Sequence, residues 1–330
     1  MDSNQYVIGE QLSLFQDKDM LLNGGSLELK RLNLDEAKKE FQRYRDLYRD
    51  GGNVDSKLKI TEFLIKGFSN APSAGPDEPV YLYGLWYSFE DYVKSIGFES
   101  ENIISEIKNS LFQKVLDAID RCNLNDAPYL SGNIPMGYVY MQAGKYNLAV
   151  ESLQSCILTT QDNAAIYGYL GDAHILRGGD PTVARKCYLE ACLINPAHMD
   201  WDHVKDKELR KLRDQLIKTF DMDISLAAEW LPSYAYIQGL FKPKAIRLKE
   251  ELKRFVDEYL ALRKAYLKEP TSDLEAKLFI RAIILCHNEI FMKLVKGINF
   301  IDIRRQMKEM NPSLFARYMK HIESRNRQKE

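Results

Sequence analysis

The stretch with the most evident chemical potential is "HMDWDH" (198–203), which gathers His198, Asp200, Asp202 and His203. Imidazoles and carboxylates at close range are the ligands that transition metals take. The spacing argues against that use. His198 and His203 stand at i and i+5, positions that a helix turns to different faces, and no further ligand set follows. The stretch reads better as a polar turn between helices. "CHNE" (286–289) joins a thiol to an imidazole, but successive helical side chains point in different directions. Cys286 therefore reads as core, and His287 as a satisfied or exposed polar group. No phosphate-cradling GxxxxGK[ST], no GxGxxG after a strand, no GxSxG and no HExxH occurs. The expectation is a protein that is not an enzyme, with no catalytic residue, no metal and no cofactor.

The bulk numbers narrow the class. With 330 residues, 45% of them apolar and 28% charged, the chain can bury a sizeable core. No apolar run approaches the roughly 18 residues that cross a bilayer. The start, "MDSNQYVIGEQLSLF", has no basic region ahead of an apolar block. Cys122, Cys156, Cys187, Cys192 and Cys286 are odd in number and form no CxxC pair, which suits reduced thiols. The expectation is a cytoplasmic protein with no membrane contact.

Charge is distributed unevenly. Residues 1–240 carry a net −10 and residues 241–330 a net +9. Lys242, Lys244, Arg247, Lys249, Lys253 and Arg254 are interleaved with Glu250 and Glu251, while Arg325, Arg327 and Lys329 form a basic surface at the end. Interleaved acids lower the local potential, so nucleic acid is the less favoured partner. Salt-sensitive contact with an acidic protein surface, on a partner or on a second copy of the chain, is preferred.

Nearly all of the chain reads as helix. Only "VYLYGLWYSF" (80–89) competes as a strand, and "NAPSAGPDEP" (70–79) is the most loop-like segment and the candidate hinge. Breaks follow at 123–128, 177–181, 194–200, 241–244, 269–273 and 310–313. The aromatics of 80–91 and of "AAEWLPSYAYIQGLF" (227–241) read as core rather than as a peptide-binding surface, with Pro232 kinking the second stretch or starting a new helix. After Pro243 at a helix start, Leu248, Leu252, Phe255, Tyr259, Leu262 and Tyr266 recur at helical spacing. Ser272 and Glu275 form a capping box for a second helix that runs to Val295, antiparallel to the first.

The stretch "GYVYMQAGKYNLAV" (137–150) has a copy 34 residues on. Gly137 maps to Gly171, Met136 to Leu170, Tyr140 to His174 and Gly144 to Gly178. With one extra residue in "RGGD", Ala149 maps to Ala184, Leu153 to Tyr188 and Cys156 to Ala191, and Pro196 closes the second unit. Residues 130–163 and 164–198 thus resemble two tetratricopeptide repeats, each an antiparallel helix pair. A divergent copy at about 20–53 carries Gly25, Leu34, Ala37 and Phe41.

The resemblance implies an all-α fold, with antiparallel helix pairs stacked as a solenoid and a C-terminal helical bundle or cap. The divisions expected are 1–69, the hinge 70–79, a solenoid over 80–240 and a basic helical region over 241–330. In each unit the first glycine and the alanine, Gly137 with Ala149 and Gly171 with Ala184, are expected to face one another at a close crossing. The resemblance also implies a scaffold or adaptor that binds a partner protein or peptide on a concave face. The groove positions are then Ser131, Ile134, Tyr138 and Met141, followed by Ala165, Gly168, Asp172 and Ile175. Ile134, Tyr138, Met141, Asp172 and Ile175 are its principal contacts. Ile134 and Tyr138 stand where a carboxylate clamp of this family has Lys and Asn, so that clamp is absent. Two alternatives stay open: a nucleic-acid-associated regulator using the basic C-terminal helices, and a helical enzyme without a recognisable motif.

Overall fold

A computed structural model describes residues 18–48, 52–73, 75–125, 127–160, 162–201, 203–288 and 298–327. Asp202, Glu289, Val295 and Lys329 lie outside these residues. Among the described residues the only strands are a two-residue antiparallel pair, β1 (Tyr129–Leu130) with β2 (Ile134–Pro135). The rest is helix and connection. The chain divides into two compact units, Met1–Ser152 and Leu153–Glu330. Residues 70–79 fall inside the first unit and 241–330 inside the second.

The first unit contains α1 (18–30), α2 (Leu34–Leu47), α3 (Gly52–Ser69), α4 (Asp77–Ser95), α5 (Glu101–Arg121) and α6 (Met136–Gln142). The division falls within α7 (Tyr146–Thr159). Neighbours in sequence pack together, α2 on α3 and α4 on α5. The strand-like stretch 80–89 is helical and belongs to α4. Its Leu82, Leu85, Trp86 and Phe89 recur at a helical period and turn inward to join Phe41 and Phe112 in the core. Gly25 of α1 lies against α2: a Cβ on it would stand 2.6 Å from the Phe41 ring.

The second unit contains α8 (Ala164–Leu176), α9 (Pro181–Ile194), α10 (Lys207–Phe220), α11 (Ile224–Ile237), α12 (Lys249–Lys268), α13 (Ser272–His287), α14 (Phe300–Met310) and α15 (Pro312–Arg327). The α8–α9 pair has a local cause at each end. Asn163 accepts the backbone N–H groups of Ala165 and Ile166, and Asp180 accepts that of Thr182 ahead of Pro181. Between the helices Gly178 takes φ +77°, a left-handed conformation that costs glycine little, and Gly144 takes φ +72° at the corresponding turn after α6. In the core, Tyr188, Trp230, Tyr236, Tyr259, Phe279 and Tyr318 are buried in one cluster. The aromatics of 227–241 are therefore core, and Pro232 sits inside a continuous α11 without starting a new helix.

Three local expectations are corrected. Gly171 does not have Ala184 as its nearest neighbour: the three atoms closest to an added Cβ all belong to the Tyr188 ring, at 2.6–2.9 Å. The glycine makes room for a ring. Pro243 does not start a helix. Residues 242–248 run as a non-helical strap, and α12 begins at Lys249. Buried Asn288 holds the strap, its Oδ1 accepting from the Ile246 N–H at 3.0 Å and its Nδ2 donating to the Lys244 carbonyl at 2.9 Å. Ser272 and Glu275 form no capping box, because the residue at the N-cap is Thr271 and Ser272 lies one place inside the helix. The Ser272 hydroxyl instead accepts from the Trp230 indole N–H at 3.3 Å.

Candidate functional site

The side chains expected to line an open groove are largely covered. Tyr138 is 7% exposed and Met141 5%. Tyr138 is occupied within its own unit: its hydroxyl stands 3.1 Å from that of Tyr87, and its ring meets Tyr83 edge-on at 6.4 Å. Tyr83 and Tyr87 lie one helical turn apart on α4 with their hydroxyls 3.0 Å apart, so α4 presents a row of phenols that Tyr138 joins. Ile134 and Ile175 are half-buried, Ala165 likewise, Gly168 is buried and Ser131 is exposed.

Asp172 is 3% exposed and is not an isolated groove carboxylate. The Tyr188 hydroxyl donates to its Oδ1 at 2.5 Å, and the Lys205 backbone N–H donates to the same oxygen at 2.7 Å. One oxygen thus ties α8 to α9 and to the segment leading into α10. Burial raises its pKa to about 6, the two hydrogen bonds opposing only part of that shift. Next to it, Asp206 caps α10 and forms an ion pair with Arg185 at 2.7 Å.

His203 Nδ1 lies 2.8 Å from Asp200 Oδ1 on an exposed turn, and Asp202 lies outside the described residues. Among the described residues no group of three or more His, Cys, Asp or Glu side chains is placed to hold a metal. Cys286 is buried in the core. Among the described residues no helix is long and apolar enough to cross a membrane. At the basic end, Arg327 is exposed, Arg325 is half-buried and Lys329 lies outside the described residues. Arg325 is not purely a surface charge. Burial pushes the Tyr236 hydroxyl upward in pKa, and the charge of nearby Arg325 pulls it back.

The second unit contains a cleft of about 330 Å³. Sequence reasoning missed it, because its walls come from α8, α9, the strap, α12 and α13. Helix α12 turns Glu251, Arg254, Phe255 and Glu258 toward it, a run at i, i+3, i+4 and i+7 that marks a single face. From α9 come Glu190, Leu193 and Ile194, and from the strap Lys244. The Lys244 ammonium bridges Glu190 at 2.9 Å and Glu251 at 3.2 Å. Burial opposes that charge, but the two carboxylates outweigh it and raise its pKa. Asn288 positions this lysine through the strap backbone.

Further along the cleft stands Arg281. Its Nη2 donates to the Leu193 carbonyl at 2.9 Å and its Nη1 to the Lys277 carbonyl at 3.3 Å, while its Nε is buried without a partner. Burial lowers its pKa, opposed by the charges of Glu258 and Glu229. Arg254 and Glu258 are exposed, and among the described residues neither makes an ion pair. Tyr167 closes the acidic end, where burial and then Glu190 raise its pKa. The site combines an apolar floor with charges of both signs, an arrangement that can bind and orient a polar ligand.

No family model matches the chain, and no curated protein or solved structure matches it either.

Proposed function

We propose that this protein is a non-enzymatic helical-repeat scaffold, of the tetratricopeptide kind, that binds a partner protein or peptide. The observation that supports the reading is one packing relation that recurs. Gly25 receives the ring of Phe41 in one helix pair, and Gly171 receives the ring of Tyr188 in another. Each glycine stands in the second half of one helix and its ring in the middle of the next, 16 residues on for Phe41 and 17 for Tyr188, the placement that the repeat resemblance implies. A glycine inside a helix is unfavourable by about 1 kcal/mol relative to alanine, so its use at two equivalent places points to a shared packing scheme. Repeat stacks of this kind present extended surfaces rather than catalytic constellations.

The basic C-terminal region suits protein contact better than nucleic acid. Lys244 is neutralised by two carboxylates, Lys277 lies beside Glu229 and Asp273, and Arg317 sits 5.1 Å over the Tyr234 ring. Phosphate backbones need cations that remain available. Affinity capture of the tagged full chain from native lysate, with and without nuclease, tests the reading. A protein retained at constant stoichiometry after nuclease, and rebinding the purified chain, is the result expected. Micromolar or tighter retention of nucleic acid at about 50 mM salt, a generous condition for such binding, would overturn it.

A further inference from the structure

Lys57 of α3 is 7% exposed, and among the described residues no carboxylate pairs with it. Its ammonium donates to the Ser26 hydroxyl at 3.1 Å and stands 5.9 Å from the centre of the Phe41 ring. Neither neighbour carries a negative charge, and Ser26 spends its own proton on the Leu22 carbonyl at 2.6 Å. Lys30 follows Ser26 by one turn on the same face of α1, and its ammonium donates to the Asn102 side-chain carbonyl. That acceptor is neutral too. Burial, and then the charge of Lys30, lowers the pKa of Lys57. Buried charges are ordinarily paired, because an uncompensated one is strongly destabilising.

Asn102 lies in the first turn of α5, and that turn lacks a cap. Ser100 at the N-cap makes no side-chain bond, and the first helical bond runs from the Ile104 N–H to the Ser100 carbonyl at 3.1 Å. The backbone N–H groups of Asn102 and Ile103 precede it and have no helical acceptor, so the helix start is partially positive. Glu101 and Glu106 also belong to α5. Both are exposed, and among the described residues neither pairs with Lys30 or Lys57.

We propose that Lys57, Lys30 and the start of α5 bind a phosphate group, free or as the monoester of a small molecule. Charge decides the class. Two ammonium groups without a carboxylate are matched by a group of nearly two negative charges, and a phosphate monoester carries about −1.5 to −2 at pH 7. A carboxylate would leave one ammonium uncompensated. The donors suit it as well. Each ammonium has further N–H groups beyond the one spent on a neutral oxygen, and the Asn102 amide nitrogen adds its own. Half-buried Lys30 and exposed Asn102 form the solvent side of the site, and buried Lys57 forms its inner wall. The site lies in the first unit and does not depend on the scaffold reading.

Titration calorimetry of the full chain with inorganic phosphate, phenyl phosphate and acetate, at matched ionic strength, tests the proposal. One or both phosphates should bind with a dissociation constant of about 1 mM or tighter, and acetate at least about tenfold more weakly. Tighter binding of phenyl phosphate assigns the site to an ester, and tighter binding of inorganic phosphate assigns it to the free ion. Lys30→Gln should weaken phosphate by roughly tenfold, the loss of one charge-assisted contact. Lys30 is half-buried, so this variant keeps the fold, and circular dichroism verifies that it does. Lys57→Met removes the buried charge. It should raise the thermal midpoint in the absence of phosphate and lose the further rise that phosphate gives the parent. Failure of both phosphates to bind overturns the proposal, as does acetate that binds as tightly. So does a Lys30→Gln or Lys57→Met variant that responds to phosphate as the parent does.

Discussion

Gly171 and Tyr188 claim the same space, since a single carbon added to the glycine would lie 2.6 Å from the tyrosine ring. Gly171→Ala gains up to about 1 kcal/mol of helix propensity, yet overpacking of this order costs about 1–3 kcal/mol, so the net effect is loss of stability. Gly24 supplies the control. It lies in α1 with nothing within 4 Å of an added Cβ, so Gly24→Ala is expected to stabilise by up to about 1 kcal/mol. Urea unfolding of both variants measures the contrast. Equal midpoints would remove the steric account.

Asp172 makes stability depend on pH. Its pKa is 3.8 ordinarily and about 6 in the fold, so the native state holds a proton that the unfolded chain releases. Its contribution is therefore fullest below pH 3.8, declines as pH rises to about 6, and stays level above that. Both hydrogen bonds end on Oδ1, which an amide oxygen can replace. Asp172→Asn should abolish this part of the decline and raise stability at neutral pH, by up to about 3 kcal/mol. Melting temperatures of both proteins between about pH 4 and pH 8 check it; parallel curves would rule it out.

Asn288, at the end of α13, ties that helix to the strap backbone at Lys244 and Ile246. Asn288→Ala leaves a buried N–H and a carbonyl without their partner and should destabilise by about 2–4 kcal/mol. It should also expose residues 242–248 to protease before the rest of the unit. Limited proteolysis with mass mapping reads this out. Cleavage first at another connection would show that the strap is held by something else.

At the chain end, Arg325 and Arg327 should behave differently. Arg325 is half-buried with its charge near the Tyr236 hydroxyl, while Arg327 is exposed. Arg325→Gln should lower the thermal midpoint measurably, and Arg327→Gln should leave stability within about 0.5 kcal/mol. Neutralising the basic end as a block is thus not a purely electrostatic change. A calorimetric melt of each single variant separates the two effects.

The boundaries around α8 and α9 were legible because their causes are local. Asn163, Asp180 and Gly178 act within a few residues of where they stand. The need for a small residue at 171 was legible too, but its partner was not, because periodicity names a face and not the ring that fills it. The groove failed for the same reason. Tyr138 and Asp172 sit on the expected helices, but α4 covers the first, and Tyr188 with Lys205 covers the second. Covering groups come from elsewhere in the chain, beyond the reach of a local pattern. The charged cleft draws on positions as distant as Tyr167 and Arg281, and only the four-residue face of α12 hinted at it.

The bond from Arg281 to the Leu193 carbonyl has a kinetic meaning as well. It joins positions 88 residues apart, whereas Tyr188 meets Asp172 across only 16. Closing a longer loop costs more entropy and is reached later. The α8–α9 pair is thus suited to act as an early folding seed, and the cleft takes shape only when the last helices arrive. A chain interrupted before α13 would keep the seed and lack the site.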